Sequence, residues 1–247
     1  TYNTFGIEKQ ITLDEMCIIL AKLSSAGVKK VTFAGGEPML HKDLEKAIIY
    51  AKILGFTTSI ITNGSRIKEQ FLINMQPYLD WIGISIDSLN HSTNELIGRK
   101  DKMTYDYPVI VDLINKYNYK LKINTVVNIF NQDEIMKDFI SYSKTERWKI
   151  FDTLRVSGQN DDDFNNIKST NFDKFIENNQ HSSMVVENNN LMSGSYLLID
   201  PKGRFYENWG ENTQKSDSLI THSVKHCLNQ ITLDRNKFLE RGGIYNW

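Results

Sequence analysis

Through the first 157 residues, short apolar and β-branched runs alternate with longer amphipathic segments. The runs read VTFAGG, TTSIITNGS, WIGISIDS, KLKINTVVN and RWKIFDTLRV, and the amphipathic stretches lie near 40–54, 66–76, 107–118 and 132–143. Strand and helix in alternation require parallel strands joined by crossover helices, in either an open doubly wound sheet or a barrel. Ahead of the first run, Thr12-Leu-Asp-Glu15 is a capping box and Gly27 a stop signal, which together predict a helix over 12–26.

Beyond residue 157 the pattern changes. SGQNDDDFNN is a loop by composition. SYLLID, a turn at Pro201-Lys-Gly203 and RFYE predict an antiparallel hairpin, and a last helix-like segment leads to the tail Arg241-Gly-Gly-Ile-Tyr-Asn-Trp247. A chain of 247 residues can bury a substantial core as one domain.

Lys+Arg 29 against Asp+Glu 30 gives a net charge of -1, so the overall field offers no attraction to a nucleic-acid duplex or an anionic membrane. No apolar run reaches the roughly 20 residues of a membrane span, and no charged-then-apolar leader is present. The expectation is a soluble cytoplasmic protein and a monomer. Cys17 and Cys227 are too few for a disulfide framework or a cysteine-only metal site. Cys17 falls on the helical stripe Leu13, Met16, Cys17, Leu20, Leu23, which predicts a buried thiol. The chain opens at Thr1 on a helix signal, as if the start of a domain lay upstream.

In βα folds ligands bind at the carboxyl ends of the strands. The strand ends here carry Gly35-Gly36-Glu37, Thr62-Asn63-Gly64-Ser65, Ser85 with Asp87-Ser88, Asn124 with Asn128, and Asp152 with Arg155. Each alone is an acceptable turn or helix cap, but their gathering on one rim points to a site. Strand alternation puts Lys122 and Asn124 on one face, opposite Leu121, Ile123 and Thr125. Parallel strands are normally apolar on both faces, so Lys122, and likewise Lys149 and Lys30, need a reason. If these faces line an interior, an anion of polyphosphate size would join the amines. Solvated strand entrances would equally explain Lys30 and Lys149. In the turn GGEP, glycines allow close approach to backbone and Glu37 offers a carboxylate to an ammonium group, while a plain turn with a helix-start Glu-Pro fits as well.

GGEP after an apolar strand, followed by the TNGS and SIDS strand ends, resembles the radical S-adenosylmethionine (SAM) enzymes. LIGR at 96–99, LKINTVVNIFN at 121–131, RWKIFD at 147–152, SYLLID at 195–200 and ERGGIYNW at 240–247 are similar in order and spacing to viperin and its prokaryotic relatives. The resemblance implies a partial (βα)6 TIM-like barrel at 1–157, with a C-terminal hairpin and helical extension at 158–247 closing over the nucleotide site. It implies a [4Fe-4S] cluster and SAM as cofactors, with SAM held by Gly35, Gly36, Glu37, Asn63, Ser85 and Asn124. A nucleoside triphosphate, CTP ahead of UTP or GTP, would be held by Lys30, Arg99, Lys122, Lys149 and the tail residues Arg241, Gly242 and Gly243. Tyr196 would sit by the ribose and help quench the product radical. A 5'-deoxyadenosyl radical would take hydrogen from C4', and loss of the 3'-hydroxyl as water would give a 3'-deoxy-3',4'-didehydro nucleotide, a chain terminator for antiviral defence. The electron donor would be ferredoxin- or flavodoxin-like. The family's Cys-x3-Cys-x2-Cys motif has no counterpart in this sequence, which implies that the cluster loop, with the first strand, lies upstream of Thr1.

Overall fold

The computed structural model describes residues 10–99, 106–154, 168–207 and 214–245. Arg155 and the SGQNDDDFNN loop expected at 157–166 lie outside the described residues.

The helix predicted at the start is α1, Leu13–Ser25, and its capping box is complete. The backbone N–H of Glu15 donates to Thr12 Oγ1 at 3.3 Å, and the N–H of Thr12 donates to Glu15 Oε2 at 2.8 Å. Five strands fall where the apolar runs predict them: β1 Lys30–Phe33, β2 Thr57–Thr62, β3 Trp81–Ser85, β4 Lys120–Val127 and β5 Arg147–Asp152. Between them lie α2 Leu44–Ile53, α3 Glu69–Met75, α4 His91–Leu96, α5 Tyr107–Lys116 and α6 Lys137–Tyr142. After α7, Phe172–Asn178, a sixth strand β6, Met184–Glu187, joins the same sheet, so the parallel sheet runs on past residue 157.

All six strands pair in parallel in the order β1-β2-β3-β4-β5-β6. A doubly wound sheet reverses its strand order at a switch point. Sequential order instead winds one way, with α2, α3, α5, α6 and α7 packed on one core at one side, and this decides for the partial barrel. Ile60, Ile82, Ile84, Leu121, Ile123, Trp148 and Ile150 point to that helical side and form the main core.

The C-terminal region adds α8 Asn189–Met192 and a three-stranded antiparallel sheet of β7 Leu198–Ile199, β8 Arg204–Tyr206 and β9 Lys215–Ser218. Two short helices follow, α9 Val224–Leu228 and α10 Arg235–Glu240. The predicted hairpin is β7-β8. Its sheet packs on α1 rather than across the strand ends: Phe205, Leu219, Val224 and Cys227 share a second core with Ile19, Leu20 and Leu23. Cys17 is only half-buried, because the buried edge of α1 runs through Ile19 instead.

Candidate active site

Register defines the face opposite the main core. Lys30 pairs with Thr57, Gly83 with Lys122, Ser85 with Asn124, Lys122 with Arg147, Asn124 with Lys149 and Phe151 with Glu187. Side chains alternate along a strand, so these residues share the inward face that the Lys122/Asn124 argument requires. Gly83 makes room for the arrangement. A Cβ there would stand 3.4 Å from Lys122 Cε and 3.2 Å from the Ile60 carbonyl oxygen.

Lys122, Arg147, Lys149 and Arg241 are buried and Lys30 half-buried. Burial first, then the neighbouring cations, lowers Lys122 to about 7 and Lys30 to about 8. Lys149 is lowered to about 8 by burial, although Glu187 opposes the shift. Glu187, fully enclosed at the end of β6, is the carboxylate in contact with this group. Lys149 Nζ donates to Glu187 Oε1 and, at 3.0 Å, to the Tyr196 hydroxyl; that hydroxyl donates to Glu187 Oε2. Burial and the Glu187 charge hold the Tyr196 phenol well above its ordinary pKa. Arg241 covers the Tyr196 ring at 3.7 Å, lies 3.6 Å from Glu187 Oε1 and donates to the Ser195 carbonyl at 2.9 Å.

At the strand starts, Tyr245 completes the group. Lys30 Nζ donates to its hydroxyl, and the Arg147 guanidinium lies 4.1 Å from its ring centre. Trp81 meets that ring edge-on at 5.6 Å.

The carboxyl-end rim is built differently. Gly35 and Gly36 take positive φ, 91° and 47°, and nothing lies within 4 Å of where a Cβ would stand on either. Glu37 is already engaged. Its Oε1 accepts from Thr62 Oγ1 at 2.6 Å and Met39 N–H at 3.1 Å, and its Oε2 accepts from Asn63 N–H at 2.8 Å. The carboxylate thus pins the end of β1 to that of β2, with acceptor capacity remaining on Oε2. On β4, Asn124 Oδ1 is buried without a hydrogen-bond partner among the described residues. An acceptor left unsatisfied in this way costs stability unless a ligand meets it.

Lys30, Lys122, Lys149, Arg241 and Tyr196 therefore come together as one interior group. Gly35, Gly36, Glu37 and Asn63 form one corner of the rim, and Ser85 and Asn124 are adjacent on β3 and β4. Arg99 stands apart from the lysines. It donates to Asp87 Oδ2 from Nη2 at 2.6 Å and from Nε at 3.1 Å, and to the Ser85 carbonyl at 2.9 Å. Gly242 and Gly243 do not offer their N–H groups outward. These donate to the Leu239 and Phe238 carbonyls at 2.9 and 2.8 Å and close the C-terminus of α10. The tail meets the interior through carbonyl oxygen instead, since Arg147 Nη2 donates to the Gly242 oxygen at 2.6 Å.

Sequence reading passed over Arg147, Glu187 and Tyr245. Arg147 carried a signal, because it stands two residues before Lys149 and shares its face. Glu187 ends a strand too short to stand out, and Tyr245 carries no periodic signal at all.

The radical SAM superfamily model matches residues 2–143. An S-adenosylmethionine-dependent nucleotide dehydratase from Flammeovirga pacifica is 39% identical, over 98% of this chain and 84% of that protein. The S-adenosylmethionine-dependent nucleotide dehydratase RSAD2 of Siniperca chuatsi is 33% identical, over all of this chain and 74% of its own length. Among solved structures, native anSMEcpe with bound AdoMet superposes with a TM-score of 0.61 at 14% identity, covering 97% of this chain and 76% of that one, a likeness of fold. Motif order, sheet winding and these similarities agree: the chain belongs to the radical SAM superfamily and, within it, to the viperin-like S-adenosylmethionine-dependent nucleotide dehydratases.

Proposed function

We propose that this protein is a radical SAM nucleotide dehydratase acting on a nucleoside triphosphate, CTP ahead of UTP or GTP, to form the 3'-deoxy-3',4'-didehydro analogue. The observation that carries this reading is the interior group of half-buried Lys30 and buried Lys122, Arg147, Lys149 and Arg241, faced among the described residues by the enclosed carboxylate of Glu187. Cations crowded in this way repel one another, the three lysines sit below their ordinary pKa, and a polyphosphate relieves both costs. The nucleotide would lose the elements of water and gain a C3'–C4' double bond: the C4' hydrogen would end on 5'-deoxyadenosine, and the 3'-hydroxyl would leave as water with one proton taken up and one electron drawn from the reductant.

The family implies SAM and a [4Fe-4S] cluster. The rim suits SAM. Gly35 and Gly36 leave their backbone open, Glu37 retains acceptor capacity, and Asn124 Oδ1 is an unmatched acceptor. Gly35, Gly36, Glu37, Asn63, Ser85 and Asn124 are the residues assigned to it, and when bound it supplies the radical chemistry. The cluster does not fit the two cysteines of this sequence. Cys17 lies on α1 and Cys227 on α9, where its thiol donates to the Asp217 carbonyl, and two separated thiols are not the three that a SAM-binding cluster needs.

Lys30, Lys122, Arg147, Lys149 and Arg241 hold the phosphates. Arg99, paired with Asp87 and bonded to the Ser85 carbonyl at the end of β3, is the rim cation assigned to the triphosphate. Tyr196 is assigned a place beside the ribose, where its phenol would pass one electron to the product radical as its proton moves to Glu187, with the external reductant then restoring the phenol.

The test is anaerobic incubation of the cluster-reconstituted full-length protein with reductant, SAM and each nucleoside triphosphate in turn. The expected result is 5'-deoxyadenosine together with a nucleotide lighter by one water, stimulated by one triphosphate above the others. Deoxyadenosine formed equally with and without every triphosphate would overturn the substrate class. One alternative is a barrel that only binds nucleoside triphosphate; it requires nucleotide binding with no 5'-deoxyadenosine under any condition.

A further inference from the structure

On the outer side of the C-terminal sheet, Asp217, His222 and His226 converge, and the proposed nucleotide chemistry uses none of them. All are exposed, and one ligand atom from each lies within 4.8 Å of the others. Asp217 projects from β9. His222 stands in the turn before α9 and His226 within it, a spacing of four residues that brings the rings to one side. The imidazoles stack with centroids 4.7 Å apart and planes 17° from parallel, and His226 Nε2 lies 2.9 Å from Asp217 Oδ2. On a tetrahedral ion with bonds of about 2.0–2.1 Å, neighbouring ligand atoms are roughly 3.3 Å apart, so the Asp217–His226 pair is near bonding separation. A ligand nitrogen of the exposed His222 lies within 4.8 Å of both.

The support beneath is rigid. Leu219, Val224 and Cys227, which alternate with the three ligands along the chain, are buried in the second core. Lys22 Nζ reaches from α1 to donate to the carbonyls of Leu219, Ile220 and His222 at 2.6, 3.0 and 2.9 Å, fixing the turn. Outer partners also orient the ligands. Gln230 Nε2 donates to Asp217 Oδ2 at 2.8 Å, and Thr221 Oγ1 lies 2.9 Å from His222 Nδ1, which leaves Nε2 for an ion.

The geometry points to a divalent transition-metal site of two imidazoles and one carboxylate, with a position open to water, that clasps β9 to α9. This donor set suits zinc, nickel, cobalt or copper(II) rather than magnesium or calcium, which take oxygen ligands. The ion is distinct from any cluster, since neither cysteine takes part.

The probe is zinc. Untagged full-length protein in metal-free buffer is titrated calorimetrically, and bound zinc is counted after dialysis. Compared with wild type, His222→Ala/His226→Ala should bind one zinc fewer per chain. Asp217→Asn should bind that zinc at least tenfold more weakly, while His91→Ala and His181→Ala should match wild type. Zinc should raise Tm in wild type more than in the double variant, and the zinc-free Tm values of the two should agree, which guards against a folding defect. Equal stoichiometry and affinity in wild type and the double variant would overturn the site, as would loss of the same zinc in His181→Ala.

Discussion

Lys122 is buried among cations with no carboxylate in contact among the described residues, so its proton is held far less tightly than usual and leaves the free protein at about pH 7. The unfolded chain holds that proton up to its ordinary 10.5, whereas the folded protein releases it near 7. Between those values the unfolded state binds more protons, and stability therefore rises with pH. Urea unfolding of the ligand-free protein should show this rise from pH 7 toward 10, with Lys122→Met flattening it. The same variant should bind nucleoside triphosphate at least tenfold more weakly with SAM affinity unchanged; equal loss of both would indicate a folding defect instead. Glu187→Gln should act in the opposite sense on stability. Removing one partner of a buried pair leaves an uncompensated charge, at a cost of about 3–5 kcal/mol, measurable as a lower urea midpoint. Tyr196→Phe keeps the ring under Arg241 and removes only the hydroxyl, so 5'-deoxyadenosine should still form while didehydro product falls. A wild-type product yield would remove Tyr196 from the mechanism.

At the scale of elements, periodicity carried most of the fold. The capping box placed α1, and alternation in LKINTVV gave both the strand and the inward direction of Lys122 and Asn124. It could not supply β6, because four residues, MVVE, are too few to show a period and follow a polar stretch. Missing β6 also hid Glu187, and with it the reason that Lys149 tolerates burial. Gly242 and Gly243 meet a related limit: a glycine pair looks the same in sequence whether it cradles an anion or ends a helix, and here its N–H groups meet the carbonyls of Leu239 and Phe238. A Cβ on Gly243 would come within 2.4 Å of the Phe238 oxygen, so Gly243→Ala should loosen α10 and displace Tyr245 from Arg147. Gly83→Ala crowds backbone on one side and Lys122 on the other, and should lower stability by about 1–3 kcal/mol. Thermal unfolding would record that loss, and a smaller effect of about 1 kcal/mol for Thr12→Ala at the capping box.

Taken whole, the described residues form one apolar core beneath the crossover helices, a second between α1 and the C-terminal sheet, and a polar, cation-rich inner face on the parallel sheet. Among the described residues no helix is long and apolar enough to cross a membrane. The near-zero net charge conceals that face, which is why composition gave no hint of an anionic ligand and strand alternation did. Triphosphate affinity should fall with added salt more steeply than SAM affinity, and parallel titrations at two ionic strengths would check this.

The order in which these charges are synthesised has its own consequence. Lys30, Lys122, Arg147 and Lys149 all leave the ribosome before Glu187, which follows Lys149 by 38 residues, and Arg241 and Tyr245 come later still. A nascent barrel cut short before Glu187 lacks the enclosed carboxylate that pairs with Lys149 among the described residues. Cooperative closure of the sheet is therefore deferred until β6 emerges, and protease resistance of ribosome-stalled chains should appear only once Glu187 has cleared the exit tunnel.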